Sequence, residues 1–129
     1  MGETRDTKKI LVVDDEPRIL RFTKLSLMGA GFAVVTARDG EEALESIKNE
    51  KPDLMVLDMI LGGIDGLDVL EALRISGGGY SEIPVIVFSA RSTGVRVERA
   101  KTMADFIVKP FDPAVLAERI HEVLGRGQE

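Results

Sequence analysis

Cysteine is absent from the 129 residues, so disulfides, thiol catalysis and thiolate metal sites are excluded. Tryptophan is also absent and tyrosine occurs once, which disfavours a flavin-binding crevice. No apolar stretch approaches the roughly 20 residues that cross a bilayer, so no membrane association is expected. A basic excess is missing as well. The formal charge of −5 argues against a sequence-independent grip on nucleic acid, which needs a cationic surface to displace counterions, and no direct nucleic-acid binding is expected. The opening MGETRDTKK has no apolar segment of the kind a secretory leader carries, so the expected location is the cytoplasm. What is present is 44% hydrophobic and 30% charged residues, in a length that suits one packed domain and is short for two. We expect a single domain over 1–129, with its core at about 9–124 and a short polar tail at each end.

Two periods alternate along the chain. Short, nearly continuous apolar runs fall at Ile10–Val13, Ala33–Val35, Leu54–Leu57, Val85–Phe88 and Phe106–Val108, as expected of strands buried on both faces. Between them lie segments with helical spacing. Pro17 opens the first, Ile19, Phe22, Leu25 and Leu27 mark its apolar face, and Gly29 and Gly31 close it. Ala43, Leu44 and Ile47 mark the second helix, and Leu67, Val69, Leu70 and Leu73 the third. Leu116, Ile120, Val123 and Leu124 mark the last. The fourth helical segment, Val95 to Met103, is short, charged and poorly periodic. The glycines of SGGGYSE (Ser76–Glu82) read as a connection, because no strand leads into them and no helix opens after them. The five methionines read as core filler. Strict strand–helix alternation implies an α/β fold with a parallel sheet between two helical layers, and right-handed crossovers leave few topologies. The flavodoxin-like doubly wound (βα)5 sandwich, order 2-1-3-4-5, places a ligand crevice between strands 1 and 3.

That crevice is where the chemistry gathers. The run LVVDDEP ends strand 1 in Asp14 and Asp15, and strand 3 ends in Asp58. Two carboxylates about 4 Å apart repel by roughly 4 kcal/mol at an effective dielectric of 20, and a third makes matters worse. Protonation or a bound cation relieves this. Oxygen ligands without neighbouring imidazole or thiol favour a hard ion, Mg²⁺ first and Mn²⁺ as the alternative. Strand 4 brings the hydroxyl of Ser89 to the same edge in VIVFSA, and strand 5 brings the ammonium of Lys109 in FIVKPF. A cation, a lysine, a hydroxyl donor and a carboxylate nucleophile are the parts of phosphoryl transfer, with an acyl phosphate as product.

On these motifs, taken in order with Asp65–Gly66, Ser89–Ala90 and Lys109–Pro110, the chain resembles the receiver domains of two-component response regulators, over Lys9 to about Leu124. The resemblance implies a phosphorylation-dependent switch, not a metabolic enzyme, in which Asp58 accepts phosphate from a histidine kinase or a histidine phosphotransfer protein. It implies that Asp15, Asp58 and the backbone carbonyl of Ile60 ligate Mg²⁺, with Asp14 acting mainly through water. Lys109, Ser89 and the backbone of Ala90 would bind the phosphoryl oxygens, Ser89 and Phe106 would be the switch pair, and the Lys109–Pro110 bond would be cis. Kinase docking is implied near Arg18–Phe22 and the Pro110–Pro113 loop. An effector or an output domain outside this sequence would read the face formed by helix 4, strand 5 and helix 5, and a homodimer is compatible with the pattern.

The chain departs from the family pattern at Gly62, where a proline is usual and a looser loop is expected. It departs again between Ser89 and Lys109, about two residues shorter than usual, and at Thr102–Met103, which replace a Gly-Ala pair. The expectation is a shortened or mobile fourth helix. Arg91, Arg96, Arg99 and Lys101 on that segment read as a solvated basic face, with an acidic partner as the sharper alternative, and Arg91 at the rim could govern access of hydrolytic water. Plain roles stand beside the chemical ones: a helix N-terminal acid pair for Asp14 and Asp15, a helix N-cap for Ser89, a solvated strand end for Lys109 and core packing for Phe106. His121 is expected at the surface without a role. Rival functions are a receiver-fold binding module that works without phosphorylation and an aspartyl-nucleophile phosphatase. The phosphatase is disfavoured by Ile60, which stands where such enzymes carry a second aspartate.

Overall fold

The computed structural model describes residues 7–61, 64–76, 78–79 and 81–126. Gly62, the terminal tails, and Gly77 and Tyr80 of the glycine-rich connection lie outside the described residues. In chain order the elements are β1 (Lys9–Val13), α1 (Pro17–Gly29), β2 (Ala33–Ala37), α2 (Gly40–Glu50), β3 (Leu54–Asp58), α3 (Gly66–Ile75), β4 (Val85–Ser89), α4 (Val95–Lys101), β5 (Asp105–Val108) and α5 (Pro113–Arg126). The strands form one parallel sheet in the order β2-β1-β3-β4-β5, the doubly wound order expected of the sequence. The central strands β3 and β4 are buried throughout, whereas β2 and β5, at the edges, are partly exposed.

Alternation of side chains along each strand sorts the core into two layers. Ile10, Val12, Leu54, Val56, Ile86, Phe88 and Ile107 pack with Leu20 and Leu27 of α1 and Leu116, Ile120 and Val123 of α5. Leu11, Val13, Met55, Leu57, Val85 and Val87 pack with α2, α3 and α4, through Ala43, Ile47, Leu70, Leu73, Val97 and Ala100 among others. Register then aligns the strand ends: Val13 pairs with Leu57, Asp58 with Phe88, and Ser89 with Val108.

Helix α1 is phased differently from the expectation. Leu20, Thr23 and Leu27 are buried, whereas Phe22 and Leu25 are 56% and 53% exposed. At 3.6 residues per turn, both lie about 140° or more round the helix from Leu20, so one helix cannot bury both sets. Its entry is set by Glu16, whose carboxylate accepts from the Arg18 N–H, with Pro17 in the first turn. Gly31 (φ 101°) turns the chain out of the helix, and the Phe32 N–H reaches back to the Leu27 carbonyl. Met55 and Met59 fill the core as expected of methionine, but Met28 is half exposed.

Helix α4 is short: seven residues, buried only at Val97 and Ala100, with no side-chain cap at Gly94. After it, the Thr102 and Met103 N–H groups close a final turn on the Arg99 and Ala100 carbonyls.

Candidate functional site

The acids and the lysine meet on one face of the sheet edge. Asp14 and Asp58 continue the alternation of Val12 and Val56, and Lys109 that of Ile107, so all three fall on the side of Phe88, and the Lys109 ammonium sits 4.5 Å from the Phe88 ring centroid. Hydrogen bonds just beyond the strands hold this edge: the Asp14 N–H donates to Ala37, the Met59 N–H to Phe88 and the Lys109 N–H to Ser89. The Lys109–Pro110 peptide is cis.

Each carboxylate is oriented locally. Asp14 is fully buried, and one of its oxygens accepts from the Glu16 N–H at 2.9 Å. An Asp58 oxygen accepts from the Ile60 N–H at 3.1 Å. The Lys109 Nζ lies 3.2 Å from the other Asp58 oxygen and 3.4 Å from Asp14. Asp15 is exposed and leaves the cluster open to solvent. Among the described residues, these three acids bring one carboxylate oxygen each within 4.8 Å of one another. Burial pushes the Asp58 carboxyl up to about 6, aided by the Asp14 charge and opposed by the Ile60 N–H and Lys109. This donor set, all oxygen, partly open and short of positive charge, fits a hard divalent cation.

Gly66 shapes the loop that follows Asp58. A Cβ there would lie 2.5 Å from the Asp58 carbonyl oxygen and 2.9 Å from the Met59 Cα, so only glycine lets the start of α3 approach this closely. The Gly66 N–H donates to the Met59 carbonyl at 2.8 Å. Asp65 caps α3, and Asp68 answers it in a reciprocal capping box.

Ser89 and Phe106 lie on the other face. Ser89 is buried, and its hydroxyl oxygen accepts from the Arg91 N–H at 3.0 Å. Gly94, not Ser89, occupies the N-cap of α4, and Glu16, not the aspartate pair, caps α1. Phe106 is partly buried against the α4-side core, with the Lys101 ammonium 5.2 Å from its ring centroid. Ala90 is exposed, and Ile60 is 55% exposed. A cavity of about 390 Å³ between the β3–α3 and β4–α4 loops is lined by Met59, Ile60, Ser89, Arg91 and Gly94, among others. His121 is exposed, its ring centroid 4.9 Å from that of Phe32.

Within the basic run, Arg96 and Arg99 are exposed but paired with acids of α3 and its N-cap. Arg96 forks onto Asp65, Nε to one oxygen at 2.9 Å and Nη2 to the other at 2.8 Å, and Nη2 also reaches Asp68 at 3.0 Å. Arg99 Nε meets Glu71 at 2.6 Å. Partial burial works to raise the Asp65 carboxyl, but its hydrogen bonds to Arg96 prevail and hold it below the usual carboxylate range. The signal was present in the chain: acids at 65, 68 and 71 and arginines at 96 and 99 share a three-residue spacing. Arg74 was also missed. Its guanidinium donates to the Ser81, Ile83 and Met103 carbonyls.

An open doubly wound sheet with carboxylates and a lysine at the carboxyl ends of its strands defines a domain with a charged crevice at its switch point. The family model described as the response regulator receiver domain matches residues 10–121. The chain belongs to this family. It is similar to a probable transcriptional regulator, ycf27, of Porphyridium aerugineum, 42% identical over 92% of this chain and 49% of the relative. It is also similar to the DNA-binding response regulator MtrA of Mycolicibacterium smegmatis, 33% identical over 95% of this chain and 53% of the relative. The chain thus spans about half the length of these relatives. Among solved structures, the receiver domain of the Francisella response regulator 1452 superposes with a TM-score of 0.84 at 31% identity, covering 94% of this chain and 99% of that one. Receiver domains of this kind are signalling modules. Among the described residues no helix is long and apolar enough to cross a membrane.

Proposed function

We propose that the chain is a cytoplasmic phosphorylation-dependent switch, in which Asp58 takes a phosphoryl group from a phosphohistidine of a histidine kinase or histidine phosphotransfer protein. The observation that carries this reading is the meeting of Asp14, Asp15 and Asp58 with the Lys109 ammonium at one sheet edge. An Asp58 oxygen bonds to phosphorus as the phosphorus–nitrogen bond breaks, and that electron pair returns to the donor imidazole. Asp14, Asp15, Asp58 and the Ile60 carbonyl would hold Mg²⁺, or Mn²⁺ in its place, Asp14 mainly through water. When bound, the ion supplies positive charge against the charge on the transferring group. Lys109 needs no large movement to serve the phosphoryl oxygens, since it already touches Asp58. Ser89 and the Ala90 N–H would take other oxygens, and Ser89 must turn from Arg91 to do so. Phe106, on the same face as Ser89, would follow into the space released.

An effector, or an output domain in a longer chain, would then read the α4, β5 and α5 face, as the DNA-binding regulators among the relatives suggest. Docking of the phosphodonor beside the site is supported by an apolar groove of about 380 Å³ lined by Ile19, Phe22, Thr23, Lys109, Pro110 and Phe111, among others. The test is intact-mass measurement after incubation with a small-molecule phosphodonor, with and without Mg²⁺, for wild type and Asp58→Asn. One phosphoryl group should appear on the wild type only with the metal, and none on the variant. A gain on Asp58→Asn would sink the assignment.

A further inference from the structure

Helix α4 has little apolar hold on the domain. Only Val97 and Ala100 are buried, Val95 is 88% exposed, and Gly94 at its start has φ 124° and provides no cap. Polar contacts supply the rest. The Arg96 fork binds the first turn of α4 to Asp65 and Asp68, and Arg99 binds the next turn to Glu71. Lys101 reaches back to the Ser92 carbonyl at 2.9 Å, fastening the loop that leads into the helix.

The placement of these contacts matters more than their number. Asp65 is the residue before Gly66, whose N–H holds Met59 directly after Asp58. At the other side, Ser89 is joined to Arg96 through a loop that starts with the Ser89–Arg91 hydrogen bond. The Arg96 fork therefore staples together the two loops that leave the phosphoacceptor strand and the Ser89 strand. A shift of the Ser89 backbone toward Asp58 would draw on a segment stapled a few residues further along.

We propose that the ion pairs of Arg96 with Asp65 and Asp68, and of Arg99 with Glu71, form a latch that keeps α4 in its resting position and opposes the rearrangement of Ser89. The trigger rests on the phosphoacceptor reading above, whereas the latch belongs to the resting chain. Each pair is solvent-accessible and weak alone, so breaking one should shift the balance by about three- to fivefold.

The test uses the whole chain as Arg96→Gln, Glu71→Arg, Arg99→Glu and the double exchange Glu71→Arg with Arg99→Glu. Amide hydrogen exchange across Val95–Met103 is measured without ligand, and beryllofluoride affinity is measured with Mg²⁺. Expected are exchange about three- to fivefold faster in each single variant, recovery in the double exchange, and tighter beryllofluoride binding by a similar factor wherever the latch is broken. Unchanged exchange in the single variants overturns the latch. So does faster exchange that the double exchange does not recover, since packing rather than pairing would then be at fault. Faster exchange with unchanged beryllofluoride affinity overturns its coupling to the site. A wild type that binds no beryllofluoride at all sinks the phosphoacceptor reading, and the exchange arm still decides the latch.

Discussion

At the scale of single residues, Asp58 keeps its carboxylate charge at a cost in stability. Its carboxyl titrates near 6 in the folded chain against an ordinary 3.8, chiefly because it is buried. A native carboxyl with a raised value binds more protons than the unfolded chain between about pH 4 and pH 6. Stability therefore falls as pH rises through that window and stays reduced above it. Asp58→Asn removes the charge but keeps the shape. In chelator at pH 7 the variant should be more stable than wild type by about 1–3 kcal/mol, and the gain should vanish near pH 4. Urea unfolding at the two pH values checks this. A variant equally or less stable at pH 7 would mean that Lys109 already compensates the Asp58 charge in full. Asp14, Asp58, Ser89 and Lys109 were legible in the chain because each directly follows an apolar run, with Asp15 one residue on, and a parallel sheet delivers the ends of such runs to one edge. The sorting of Ser89 and Phe106 to the α4 face, away from the acids, needed the register.

At the scale of elements, Arg74 holds the end of α3 both to the segment that follows it and to one 29 residues away. Its guanidinium meets the Ile83 carbonyl at 2.7 Å, Ser81 at 3.1 Å and Met103 at 3.3 Å, joining the turn before β4 to the turn after α4. Arg74→Met keeps most of the stem and removes every donor, so the carbonyls lose their partner and the domain should lose about 1–3 kcal/mol. Arg74→Lys should recover only part, because one ammonium cannot span acceptors that a planar fork reaches together. Denaturant midpoints at constant slope measure both, and a full recovery by lysine would show that charge, not the fork, is what counts. Legibility at this scale was uneven. Strands and helices could be read from their periods, since burial on two faces or on one leaves a mark in the chain. The face of α1 was misread because Phe22 and Leu25 are apolar yet exposed, and apolar content alone does not separate a core stripe from a docking surface. The pairing of α4 with α3 left only a shared three-residue spacing of acids and arginines, and the Arg74 contacts left no mark, because a helical period gives the direction of a side chain, not its neighbour on another element.

At the scale of the whole molecule, the site and the fold share one sheet. Both core layers pack on the same five strands, so the strand ends that form the site keep their arrangement until the sheet itself comes apart. Anything that binds the folded chain alone then stabilises all of it. At ten times its dissociation constant, an ion bound by the acid cluster adds about 1.4 kcal/mol, which for a domain of this size raises the melting temperature by about 4–8 °C. Asp15 is the discriminating position. It is exposed and makes no ion pair among the described residues, so Asp15→Asn should leave the stability in chelator within about 0.5 kcal/mol of wild type. The same variant should lose most of the response to Mg²⁺, because one of three carboxylates has gone from the cluster. Thermal unfolding of both proteins, in chelator and across a Mg²⁺ series at fixed ionic strength, separates specific binding from screening. An equal Mg²⁺ response in wild type and Asp15→Asn would place the ion elsewhere on this acidic chain and remove the cluster from the mechanism.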